Sequence, residues 1–217
     1  MKKFLKNFWD IRLNNLKESL EENNFEVYLA DSKEDAKELA LNTIMPQLGV
    51  KSISWGGSVT FIKSGLYHHL KDSDHYCVLD TYDKAISQEE MLERRRQALL
   101  VDLFFTSTNA ITESGQLVNL DMIGNRVGAM HFGPKYVILL VGKNKIVADI
   151  HEGMARIKDF ASPANVMRLE KNTPCAKTTI CQECKSPARI CNVWTIIEKS
   201  FPKHRIKVVL INEDLGL

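Results

Sequence analysis

Four cysteines crowd one stretch of the chain, CAKTTICQECKSPARIC, from Cys175 to Cys191. Their spacing is C-x5-C-x2-C-x6-C. Cys181 and Cys184 form the two-ligand knuckle common to zinc and iron–sulfur sites. Cys175 and Cys191 bring the set to four, enough to close a tetrahedral site. Zinc and a [4Fe–4S] cluster both accept four thiolates, and the spacing matches neither a standard zinc ribbon nor the ferredoxin run. The segment has too few apolar residues to order itself, so a metal centre on these four residues is expected to supply that order. The alternative is four unliganded thiols.

Two further stretches could do chemistry. In SWGGSVT, Gly56 and Gly57 let the backbone turn tightly and approach a ligand, while Ser58 and Thr60 add hydroxyls. The helix start that follows would offer N–H groups to an anion. A plain strand-to-helix turn capped by serine accounts for the same residues. The segment TSTNAITESGQLVNLDMIGNRVGAM is dense in polar groups although apolar strands flank it. It supplies one carboxylate in Glu113, one guanidinium in Arg126, and Asn109, Asn119, Asp121 and Asn125. Such a set can hold a small carboxylate or phosphate ester and do acid–base or nucleophilic work. Turn chemistry is the competing explanation, since Asn, Asp, Ser and Gly form turns anyway. Glu113 and the glycine loop both follow strand ends, and they are expected to meet in one pocket. Arg126, if it lines that pocket, should orient an anionic ligand, because guanidinium stays protonated. His68, His69, His75, His131, His151 and His204 lack metal-type spacing; only His131 follows the polar segment.

The elements that must position these residues alternate. The first helix, about 1–24, carries Phe4, Leu5, Phe8, Leu13, Leu16 and Leu20 at helical spacing. FEVYLA, SISW, YCVLD and DLFFTST read as strands, separated by helices opened by Ser32, by the glycine loop and by Ser87. This alternation predicts βαβ units and a mostly parallel sheet covered on both faces. GQLVNLDM is a further strand, and KYVILLVG and KIVAD look like a hairpin, an antiparallel addition. A helix from about His151 to Phe160, the cysteine segment 171–191, a helix NVWTIIEKS and a last strand IKVVLIN complete the chain. Residues 25–217 then form a single α/β domain.

At 217 residues, 44% hydrophobic and 26% charged, the chain can bury a sizeable core without disulfides. A net charge of +2 with scattered basic residues gives no argument for a nucleic-acid partner. No apolar run approaches the ~20 residues needed to span a bilayer, and Lys6, Asp10 and Arg12 break any leader-like core. A cytoplasmic protein is expected, where clustered thiols stay reduced.

The assembled stretches resemble the LUD-domain proteins, the lactate-utilisation C-type family. The resemblance rests on GGSVTFIKSG, on TSTNAITESGQLVNLDMIGNRVGAMHFGPKYVILLVGKNKIV and on CQECKSPARICNVWTIIEK, the last typical of a cysteine-containing branch. It implies an α/β fold similar to the ribose-phosphate isomerase and CoA-transferase superfamily. It implies a part in oxidising L-lactate or a related 2-hydroxy acid to a 2-oxo acid, beside iron–sulfur oxidoreductase subunits. That pathway favours iron–sulfur over zinc at the cysteines. WGGSVT looks like the phosphate loop of the isomerases. TESG looks like the transferase motif whose glutamate is the nucleophile, which would make Glu113 catalytic, although Ser114 stands where that motif has asparagine. A CoA-transferase- or isomerase-like enzyme using Glu113 is therefore one alternative. A non-catalytic metal-bearing subunit that docks a redox partner is another. A homo-oligomer is compatible with each.

Overall fold

The computed structural model describes residues 2–217. Ten strands form two sheets. In chain order they are β1 (Glu26–Ala30), β2 (Ser52–Trp55), β3 (Cys77–Leu79), β4 (Leu103–Thr106), β5 (Ala110–Thr112), β6 (Leu117–Asp121), β7 (Tyr136–Gly142), β8 (Ile146–Val147), β9 (Val193–Ile197) and β10 (Ile206–Ile211). Six of them make an all-parallel sheet in the order β1-β10-β7-β4-β2-β3. The other four make a second sheet, β8-β5-β6-β9. In it β6 runs antiparallel to both β5 and β9, and β8 runs parallel to β5.

The centre of the large sheet is legible in its residues. A parallel strand covered on both faces needs a continuous apolar run, and β7 (YVILLVG) and β10 (IKVVLI) supply it. Side chains alternate across the pleat. Ile138 and Leu140 of β7 face a cluster with Ala36, Ile44, Met45, Phe61 and Leu66. Val137, Leu139 and Val141 face a cluster with Leu13, Leu16 and Leu20 of the first helix and with Ile111, Leu117 and Ile197 of the second sheet. The first helix, Lys2–Glu22, is thus part of the core through its second half, whereas Phe4, Leu5, Phe8 and Ile11 in its first half are exposed.

Local signals set the boundaries. Ser32 accepts from the Asp35 amide while the Asp35 carboxylate accepts from the Ser32 amide, a complete capping box. Ser87 caps the helix Gln88–Gln97 in the simpler way. Gly65, at φ +79°, divides the expected helix after the glycine loop into Val59–Lys63 and Leu66–Leu70.

Two expectations are corrected. KYVILLVG and KIVAD do not form a hairpin: β7 lies inside the parallel sheet and β8 in the other, joined by the short turn Lys143–Lys145. Residues 193–197 are a strand rather than a helix. Val, Trp, Thr and Ile in succession favour the pleat, and this strand hydrogen-bonds along β6 from Asp121 to Leu117. Among the described residues no helix is long and apolar enough to cross a membrane.

Candidate functional site: a cationic cleft beside the cysteine segment

In an open parallel sheet, ligands bind outside the carboxyl ends of the strands. Here four such ends converge. β2 leads into Gly57 and Ser58, β3 into Thr81 and Tyr82, β4 into Ser107, Thr108 and Asn109, and β7 into Lys145, and all of these residues line one cleft of about 290 Å³. Asp121, Asn125 and Arg126, at the end of β6 and beyond, form the opposite wall. Asn165 and Arg168 of the helix Ser162–Arg168 and Arg95 of the helix Gln88–Gln97 complete it.

The glycine loop is fixed from behind. The Tyr82 hydroxyl accepts from the Ser58 amide at 3.0 Å and donates to the Gly56 carbonyl at 2.5 Å. Burial pushes this phenol well above its ordinary range. Thr81 donates to the Trp55 carbonyl at 2.6 Å. The two glycines do different jobs. A Cβ on Gly56 would meet the Phe104 ring at 3.0 Å and Arg126 Cγ at 3.1 Å, whereas one on Gly57 would meet nothing within 4 Å. Gly56 admits neighbouring side chains; Gly57 faces the open cleft.

Arg126 organises the far wall. It is 6% exposed. Its Nε bonds Asp121 at 3.2 Å, Nη1 bonds the Ser107 carbonyl at 2.8 Å and Asn119 Oδ1 at 2.7 Å, and Nη2 bonds Asn109 Oδ1 at 2.7 Å and the Leu120 carbonyl at 3.4 Å. A guanidinium has five N–H bonds, and all five are committed inside the protein. The Asn109 amide adds a bond to Asn119 Oδ1, leaving the buried Asn119 Nδ2 without a protein partner. This network ties β4 of one sheet to β6 of the other. Arg126 therefore contributes charge and shape to the cleft, while direct contact with a ligand falls to less committed groups.

Arg95 and Arg168 are those groups. Arg94 and Arg96 pair with Asp83, Glu90 and Glu93, but Arg95 turns to the cleft. Arg168 is oriented by Asn165 Oδ1 at 3.0 and 2.8 Å through Nε and Nη2. Lys145 lies at the floor, 3% exposed, with Nζ bonded to Thr60 Oγ1 at 3.1 Å, Ser107 Oγ at 2.8 Å and the Thr108 carbonyl at 3.1 Å. Burial first, then the charges of Arg156 and Arg126, push its pKa well below the usual lysine range.

Of the residues singled out in the sequence, Gly57, Ser58, Asn109, Asp121, Asn125 and Arg126 line the cleft. Gly56, Thr60 and Asn119 stand directly behind it as supports. Glu113 is elsewhere. It follows β5, a strand of the second sheet, so its end does not converge with that of β2. It lines a separate depression with Phe8, Ile11, Arg12 and Asn15 and pairs with Arg12 at 2.7 Å, half exposed. The expected common pocket of Glu113 and the glycine loop is not formed. His131 also lies apart, against Thr195 of β9 at 3.2 Å. The residues that sequence reasoning passed over are Lys145, Arg95, Arg168 and Tyr82. Lys145 hid in KNK, which reads as an exposed turn. Following every parallel strand to its carboxyl end would have found it.

Cys175, Cys181, Cys184 and Cys191 line one small cavity of about 10 Å³, and all are free thiols. Arg189 braces the loop around them, donating to the carbonyls of Cys191 at 2.9 Å and Cys184 at 2.8 Å. Among the described residues no three His, Cys, Asp or Glu side chains already stand at metal-binding geometry. Four soft donors lining one cavity are nonetheless the ligand set that zinc or an iron–sulfur cluster takes; the loop would have to rearrange to bring them to ligating geometry. Ser162 and Ile190 line this cavity on one side and the cationic cleft on the other.

The family model of the LUD domain matches residues 13–211. A crystal structure of a DUF162 family protein from Deinococcus radiodurans superposes with a TM-score of 0.51 at 15% sequence identity, covering 94% of this chain and 98% of that one. A search of curated proteins finds no match. With the family match running from the first helix to the last strand, and the fold shared end to end with the solved structure, the chain belongs to the LUD-domain family.

Proposed function

We propose that the cleft binds a small anionic 2-hydroxy or 2-oxo acid, as a lactate-utilisation-type protein would, and that the cysteine segment holds a metal centre beside it. One observation supports the first part above all. Arg95, Arg126 and Arg168 face the cleft against one acidic side chain, Asp121, which already pairs with Arg126 at 3.2 Å. An excess of cations in a concave, partly dry site attracts an anion and strengthens its hydrogen bonds. Arg168 and Arg95 would take the carboxylate, and Asn125 and Ser58 the neighbouring oxygen.

Cys175, Cys181, Cys184 and Cys191 would hold the metal. Iron–sulfur would supply one-electron transfer at this position; zinc would supply order alone. The shared wall of Ser162 and Ile190 favours iron–sulfur, because electron exchange needs the ligand and the centre close together. The oxidation needs an electron acceptor, and an iron–sulfur oxidoreductase subunit is the partner we assign to it.

Calorimetric titration of the purified chain with L-lactate, pyruvate and inorganic phosphate tests the cleft. Saturable binding of lactate or pyruvate that weakens with added salt and is lost in Arg168→Gln is expected. Binding of none of the three, or binding indifferent to Arg168, would overturn the reading.

A further inference from the structure

Among the described residues two lysines are almost wholly buried, and they differ. Lys207, 3% exposed, has the Glu26 carboxylate at 2.8 Å, the ordinary arrangement for a structural buried cation. Lys145 is as deeply buried, yet the groups that bond it are two hydroxyls and a carbonyl. The charges of Arg156 and Arg126, both of its own sign, bear on it. A fold that needed only packing here would be better served by an apolar side chain. Such an amine is instead placed as reactive lysines are, desolvated and next to another cation.

The bonds also aim it. The Ser107 hydroxyl donates to the Leu140 carbonyl at 2.5 Å and the Thr60 hydroxyl to the Leu215 carbonyl at 3.2 Å. With those protons committed, both oxygens can only accept from Nζ, and the Thr108 carbonyl takes the third N–H. The nitrogen is held at the floor of a cleft whose other cations would bind the carboxylate of a 2-oxo acid.

We infer that Lys145 is the reactive amine of this cleft and condenses with the carbonyl carbon of a 2-oxo acid. The inference rests on the anion-binding reading above. In the step, Nζ gives up one proton, and the lone pair this frees adds to C2 while the carbonyl π bond breaks onto oxygen. That oxygen collects two protons from the original ammonium and leaves as water, so a protonated imine remains and the charge is unchanged. No oxidant or co-reactant is consumed. Burial beside Arg156 and Arg126 raises the share of free amine available to begin it. The imine cation then stands against the carboxylate of the same substrate.

Borohydride trapping of the full chain with pyruvate decides it. A reduced pyruvyl group on Lys145, separated from Lys143 by fragment spectra, is expected in wild type and absent from Lys145→Arg. Mapping the wild-type adduct needs no variant to fold. Pyruvate that binds by calorimetry but leaves no adduct, or leaves adducts scattered over surface lysines, would overturn the inference while the anion site stands. Pyruvate that neither binds nor is trapped would remove both.

Discussion

Arg126 looks, as a residue type in a polar segment, like a clamp for an anion. In the fold it is the fastener of the cleft wall, because each of its N–H groups already has a partner in Ser107, Asn109, Asn119, Leu120 or Asp121. Lysine has three N–H groups and no fork. Arg126→Lys should lose at least two of these five bonds and cost about 2–4 kcal/mol of unfolding free energy without any ligand. Urea titration checks this; an unchanged midpoint with weakened anion binding would return Arg126 to a direct ligand role. Glu113 gives the opposite expectation. Its pair with Arg12 is exposed and lies outside the cleft, so Glu113→Gln should cost less than about 1 kcal/mol and leave pyruvate affinity unaltered in the same titration. Residue types were legible in the sequence for six of the cleft-lining groups. Which of them are free to act was not, since that depends on partners brought in from another sheet, and the carboxylate was placed wrongly for the same reason.

At the scale of elements, the parallel sheet could be read from its apolar runs, and the capped helices from Ser32 and Ser87. The second sheet could not. β5, β6, β8 and β9 are short, and the pairing that joins β6 to β9 spans a long stretch of chain. A run such as VWTII fits helix and strand alike until a neighbour offers hydrogen bonds, and β6 offers them. The glycine loop shows how an element assigns different duties to like residues. Gly56→Ala would press a Cβ into Phe104 and Arg126 at about 3 Å and should cost about 1–3 kcal/mol through overpacking. Gly57→Ala has open space and should leave stability within about 0.5 kcal/mol, while its methyl group intrudes on the cleft and lowers anion affinity. Thermal unfolding and pyruvate titration of the pair separate the two roles; equal destabilisation by both variants would refute the assignment.

At the scale of the whole molecule, the cysteine segment and the cleft are one construction. The segment has little apolar packing of its own: Ile190 is its buried hydrophobe, while Ile180 is exposed. Ile190 is also the side chain that reaches into the cleft wall beside Ser162. Whatever orders the loop therefore sets that wall. If four thiolates close on a metal, ligation free energy becomes local folding free energy, and removing the metal should loosen residues 171–191 and the cleft together. Chain purified without oxygen is expected to be coloured and to contain iron, bound through Cys175, Cys181, Cys184 and Cys191; colourless chain with one zinc would leave the site structural. Stripping the metal should raise amide exchange across the segment and at Ser162, and weaken pyruvate binding severalfold, while β7 and β10 remain protected. Cys184→Ser should reproduce the stripped state. Four thiols that react freely in the freshly purified, folded chain, with no metal present and the cleft unaffected, would show that the loop orders itself by Arg189 and its carbonyl bonds alone.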